Sequence, residues 1–146
     1  MIRVLVVDDS PTTREAITAI LHSEPGIQVI GEAADGLQGV ELAAQLKPDV
    51  ITMDINMPGM NGHDATKAIM AKTPTPIVVV TTITRQEMIR DGLDILLAGA
   101  LEIVQKPSSM TEQGFDAVRT ELIMKVQAIA QIKFPPPVVT PLTNNP

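Results

Sequence analysis

Two adjacent carboxylates, Asp8 and Asp9, close the apolar run Val4-Leu5-Val6-Val7, and a third, Asp54, closes Val50-Ile51-Thr52-Met53. Two further runs end in different chemistry. Ile77-Val78-Val79-Val80 leads into Thr81, and Ile103-Val104-Gln105 leads into Lys106. Like charges ~4 Å apart repel by roughly 4 kcal/mol at an effective dielectric of about 20. Neighbouring aspartates at the end of a buried strand therefore need solvent, a proton or a cation. If Asp8, Asp9 and Asp54 converge, they suit a hard divalent ion with oxygen ligands, and Mg²⁺, held by a few carboxylates and several waters, fits best. Lys106 would add a fixed positive charge, and the whole set would accept a phosphoryl group. One Asp after a strand is ordinarily a helix cap or turn residue. Capping, however, does not call for a Thr and a Lys at two other strand ends.

Short β-branched runs alternate with longer amphipathic ones. The strand candidates are Arg3–Val7, Ile27–Ala33, Asp49–Met53, Pro76–Thr81 and Leu101–Val104. Helix candidates lie between them at Pro11–His22, Gly36–Leu46, His63–Lys72 and Gln86–Leu97, with a last one near Glu112–Ile132. Ser10 followed by Pro11 is a helix start with a backbone rationale, a capping hydroxyl and then a residue pre-set to helical φ. Phe115, Val118, Leu122, Val126 and Ile129 form one apolar stripe on the last helix. Strands apolar on both faces suit a parallel sheet covered on both sides, and five βα repeats predict a doubly wound α/β domain. In such a sheet the carboxyl ends share one edge, and ligands bind where the strand order reverses. An order of 2-1-3-4-5 puts that reversal between strands one and three and brings Asp8, Asp9 and Asp54 face to face, with Thr81 and Lys106 beside them.

Composition narrows the classes. The chain has 146 residues, 45% of them hydrophobic, enough for a core without staples. It has no cysteine, which excludes disulfides and thiolate metal sites. A net charge of −6 and only two aromatic residues, Phe115 and Phe134, argue against nucleic acid as a partner of this domain. No apolar stretch approaches the roughly 20 residues needed to span a bilayer. The expectation is a cytoplasmic protein without membrane contact. Lys133 to Pro146 holds five prolines in 14 residues and reads as an extended linker, so that residues 133–146 would lead to a C-terminal domain beyond this chain.

The segments VLVVDDSP, PDVITMDINMPGMNG, PIVVVTT and IVQKP, in this order and spacing, resemble the response-regulator receiver domain of two-component signalling over residues 1 to about 132. That resemblance implies a flavodoxin-like fold with five strands and five helices. It implies Asp54 as acceptor of a phosphoryl group from a phosphohistidine of a sensor histidine kinase. Asp9 and Asp54 would hold Mg²⁺ directly, Asp8 mainly through water, and Asn56 through its backbone carbonyl. Thr81 would hydrogen-bond the phosphoryl oxygens, Lys106 would contact them or Asp54, and Lys106-Pro107 would be a cis peptide. Two positions depart from the family. Asn61 stands where Asp is commoner, and Ile103 stands where Tyr or Phe often acts as a rotameric switch.

Among receivers the chain is most similar to the N-terminal domain of the chemotaxis protein-glutamate methylesterases. The similarity rests on IRVLVVDDSP, on Lys72-Thr73-Pro74-Thr75-Pro76-Ile77, and on KPSSM before a long last helix and a Pro-rich connector. It implies regulation of the chain's own C-terminal output domain, a methylesterase absent from these residues. The alternative is a receiver with another output, a DNA-binding regulator or a stand-alone docking receiver. A phosphatase with an Asp nucleophile would need a second Asp where Asn56 stands. A histidine phosphotransfer module would need a helical bundle, and His22 and His63 read as surface helix residues. A partner surface is expected on helix four, strand five and helix five, with Ile89, Leu93, Ile103 and Met110 as candidates.

Overall fold

The computed structural model describes residues 1–82, 85–106 and 112–134. Its elements follow the alternating pattern: β1 (Ile2–Val7), α1 (Pro11–His22), β2 (Ile27–Ala33), α2 (Gly36–Leu46), β3 (Val50–Met53), α3 (Gly62–Lys72), β4 (Ile77–Thr81), α4 (Arg85–Leu97), β5 (Glu102–Gln105) and α5 (Glu112–Ile129). The five strands form one parallel sheet in the order β2-β1-β3-β4-β5. The expected doubly wound α/β fold is what the chain adopts.

Strand periodicity explains why the sheet is covered twice. Successive side chains point to opposite faces. Val4 and Val6 pack with Ile17, Leu21, Val118, Leu122 and Val126, beneath α1 and α5. Leu5 and Val7 pack with Val40, Ala43, Ala65, Ile69 and Ile95, beneath α2, α3 and α4. β3 and β4 divide in the same way, Val50 and Val78 to one face and Ile51 and Ile77 to the other. Each fully buried aliphatic side chain contributes roughly 1.5–3 kcal/mol, so two such layers hold the strand ends rigidly.

Helix starts follow local side-chain chemistry. The Ser10 hydroxyl accepts the Thr13 N–H at 3.3 Å, Asp35 accepts from Gln38, and Asn61 accepts from Asp64, both at 2.8 Å. Asn61 thus caps α3 as well as the commoner Asp would, and the departure noted in the sequence costs the fold little. The last helix ends at Ile129, three residues before the expected Ile132. Ile132 N–H closes a turn on the Ile129 carbonyl at 3.0 Å. Phe134 precedes Pro135, a position biased away from helical backbone.

His22 is exposed on α1 as expected, and it also has a partner: its Nε2 accepts the Val29 N–H of edge strand β2 at 3.2 Å. Ile89 is 78% exposed on α4, and Ile103 is partly buried on β5. Met110, the side chains of Leu93 and Phe115, the Lys106–Pro107 bond and residues 135–146 lie outside the described part of the structure. Among the described residues no helix is long and apolar enough to cross a membrane.

Candidate functional site

Register brings the reactive residues level. Val7 of β1 pairs with Met53 of β3, so Asp8 and Asp54 each stand one residue past a matched pair. Asp54 N–H donates to the Val7 carbonyl at 2.9 Å and ties the two strand ends together. On the other side, Thr81 pairs with Gln105, and Lys106 N–H donates to the Thr81 carbonyl at 2.9 Å. The period of two then puts Asp8, Asp54 and Lys106 in phase with Val6, Thr52 and Val104, while Thr81 is in phase with Val79. The sheet thus brings Asp8, Asp54 and Lys106 together and places Thr81 at the adjoining strand end, joined to Lys106 through the backbone.

Carboxylate oxygens of Asp8, Asp9 and Asp54 lie within 4.8 Å of one another. Asp8 and Asp54 are buried, whereas Asp9 is exposed. Lys106 Nζ reaches between the buried pair, 2.8 Å from Asp8 Oδ2 and 3.4 Å from Asp54 Oδ1. The other Asp8 oxygen, Oδ1, accepts the Ser10 N–H at 2.9 Å. The Asp54 carboxyl is raised from 3.8 to about 6: burial pushes it up most strongly, the Lys106 ammonium pulls it down, and the Asp8 charge pushes it up again. An all-oxygen donor set with excess negative charge suits a hard cation. At the end of β4, whose last carbonyl accepts the Lys106 N–H, Thr81 Oγ1 is buried with no hydrogen-bond partner among the described residues.

The loop after β3 is folded tightly around Asp54. Met57 and Gly62 both donate N–H groups to the Ile55 carbonyl, at 3.1 and 2.9 Å. A Cβ at Gly62 would collide with the Asp54 carbonyl oxygen, so only glycine lets α3 begin this close to the acceptor strand. Gly59 takes a φ of +75°, the left-handed turn position that Pro58-Gly59 suggests. Asn56 is exposed in this loop. Beside it, a cavity of about 470 Å³ is lined by Ile55, Asn56, Asn61, His63, Thr82 and Arg90, among others.

One residue of the site escaped the sequence reading. Arg14 of α1 donates from Nη1 to the Asp8 carbonyl at 2.7 Å and stands 3.5 Å from Glu32 of β2 through Nε. Its signal in the sequence is faint: a single Arg six residues after Asp8, on the first helix.

Comparison with known proteins decides the family. The model of the response regulator receiver domain matches residues 4–118. The chain belongs to the response-regulator receiver family. This receiver is 43% identical over 132 residues to protein-glutamate methylesterase/protein-glutamine glutaminase 4 of Myxococcus xanthus, a match covering 90% of the chain and 37% of that relative. It is also 43% identical over 139 residues to methylesterase/glutaminase 1 of Geobacter sulfurreducens, covering 95% of the chain and 38% of the relative. The receiver therefore spans little more than a third of the length of the curated relatives it matches. In three dimensions it superposes on the response regulator domain of Thermotoga maritima CheB with a TM-score of 0.83 and 41% identity, covering 91% of the chain and 98% of that domain.

Proposed function

We propose that this receiver takes a phosphoryl group on Asp54 from a phosphohistidine of a sensor histidine kinase, in the presence of Mg²⁺, and thereby controls a methylesterase domain joined through residues 133–146. The receiver unit is taken as residues 1–132. The single observation that carries the reading is the convergence of Asp8, Asp9 and Asp54 with Lys106 at the carboxyl ends of the strands. Asp8, Asp9 and Asp54, with the Asn56 carbonyl, are the residues that would hold the metal. When bound, the ion would neutralise charge on the equatorial oxygens of the phosphoryl group.

The chain's own residues account for the remainder. An ionised Asp54 oxygen attacks phosphorus, an O–P bond forms as the P–N bond to the donor imidazole breaks, and the imidazole leaves with the electron pair. Lys106 keeps a positive charge beside the incoming group, a role a compact ammonium suits. The buried Thr81 hydroxyl donates to a phosphoryl oxygen and so gains the partner it lacks among the described residues. Phosphorylation adds roughly −1.5 to −2 charge. Movement of Thr81 toward that charge opens space behind β4 and biases the outer surface of α4, β5 and α5. Ile103 has no ring to swing, so the signal passes through packing and backbone.

Methylesterase control is favoured over other outputs because the relatives matched over nine-tenths of the chain are methylesterase/glutaminases. A cytoplasmic setting accords with such a role. The test is incubation with a small acyl phosphate and Mg²⁺, followed by intact-mass measurement. One added phosphoryl mass is expected for the native chain and none for Asp54→Asn. Equal labelling of Asp54→Asn would sink the acceptor assignment.

A further inference from the structure

We infer that Arg14 is a positioning residue for the acidic cluster, holding the Asp8–Asp9 peptide so that the exposed Asp9 carboxylate turns toward Asp54. The inference rests on the metal-site reading above and goes beyond it to a residue outside the ligand set. Arg14 joins three elements. It sits on α1, bonds the Asp8 carbonyl at the end of β1 at 2.7 Å, and approaches Glu32 of β2 at 3.5 Å. Its side chain is only 18% exposed, and its planar guanidinium donates along fixed directions. A charged donor at this distance makes a strong hydrogen bond.

The two aspartates differ in what holds them. Asp8 is anchored several times over: its N–H donates to the Ala33 carbonyl at 3.0 Å, Ser10 N–H bonds its Oδ1, and Lys106 stands at its Oδ2. Asp9 is exposed and follows directly. The Asp8 carbonyl and the Asp9 N–H belong to one rigid plane. Fixing that carbonyl against Arg14 fixes the plane from which the Asp9 side chain departs. Arg14 therefore acts on Asp9 through the backbone.

Charge and position make opposite predictions. As a bare cation near three carboxylates, Arg14 opposes binding of a divalent ion, and its removal would tighten binding. As a positioning group, its removal frees Asp9 and weakens binding, by about tenfold for an outer-shell partner of this kind. Titration of Mg²⁺ into the full chain, followed by calorimetry, separates the two. The expected order of affinity is native chain, then Arg14→Lys, then Arg14→Met at about a tenth of native. In an Asp9→Ala background Arg14→Met should cost nothing more, because the group it positions is gone.

Equal or tighter binding by Arg14→Met overturns the inference, as does an additive loss in the double variant. If Arg14→Met fails to fold, Arg14→Lys decides alone: it keeps the charge, so affinity equal to native would mean that charge was the whole role. Native-like Mg²⁺ binding by Asp9→Ala is a different failure, that of the metal-site reading itself.

Discussion

Lys106 Nζ lies 2.8 Å from Asp8 Oδ2, with both side chains almost wholly buried, at the edge where β1 and β5 approach each other across β3 and β4. This ion pair bridges the ends of β1 and β5. It neutralises one carboxylate of the cluster inside the protein and leaves Asp54 as the buried acid whose charge is least compensated, since Lys106 is 0.6 Å further from Asp54 (3.4 against 2.8 Å). The division of labour has consequences that can be measured.

Lys106→Met should leave Asp8 buried without its cation. Breaking a buried pair in this way ordinarily costs about 3–5 kcal/mol. A lowered urea midpoint in metal-free buffer is expected, with part of the loss recovered at millimolar Mg²⁺. The same variant should carry Asp54 still higher in pKa, because the attraction that now lowers it is gone.

Asp54 should make the metal-free protein less stable as pH rises. Its carboxyl titrates at about 6 in the folded chain against 3.8 as the ordinary value. Between those values the folded state holds more protons than the unfolded state, so stability falls as pH climbs from about 4 to about 6 and then levels. Denaturant titrations across this window should show the decline in the native chain, and Asp54→Asn should flatten it. Below about pH 6, Mg²⁺ must displace the Asp54 proton, so metal affinity should rise with pH through the same window.

Asp9→Ala should separate metal binding from folding. Asp9 is exposed, and its removal relieves repulsion from Asp8 and Asp54. Thermal stability without metal is expected to change by about 0.5 kcal/mol or less, as at other surface positions, or to improve. Mg²⁺ affinity should fall strongly. Equal titration curves for the two proteins would refute the ligand assignment.

Gly62→Ala should damage both fold and site. The new methyl group would meet the Asp54 carbonyl oxygen and the Ile55 backbone, neither of which can yield without moving the acceptor. A loss of about 1–3 kcal/mol is expected, the usual cost of overpacking, together with slower phosphoryl uptake. Gly26→Ala is the control: a Cβ there meets nothing within 4 Å, so stability and uptake should stay near native.

Much of this architecture was legible in the chain because two simple signals agree. Short β-branched runs marked the strands and longer amphipathic ones the helices, with bounds within a few residues. The sequence also names the polar residues that follow or end four of these runs: Asp8, Asp54, Thr81 and Lys106. The expected end of α5 runs too far because Ala130, Gln131 and Ile132 are helix-compatible and the sequence's own stop signal, Pro135, lies beyond them, whereas a backbone turn at Ile132 ends the helix at Ile129. Arg14 was passed over for a related reason: its partner is a carbonyl oxygen, which every residue carries.

Sequence alone determined the kinds of group available, the strand ends that bear them and the family to which they point. What only the tertiary structure decided is how two consecutive aspartates differ. Asp8 turns inward to Lys106 and Asp9 stays in solvent. Neighbouring residues of the same type have the same chemistry, and only the alternation of the strand and the register of the sheet give them different surroundings. Whether Asp54 is an ordinary acid or one held near pKa 6 was likewise settled by burial and by the distance to a single ammonium, quantities that exist only once the chain has folded.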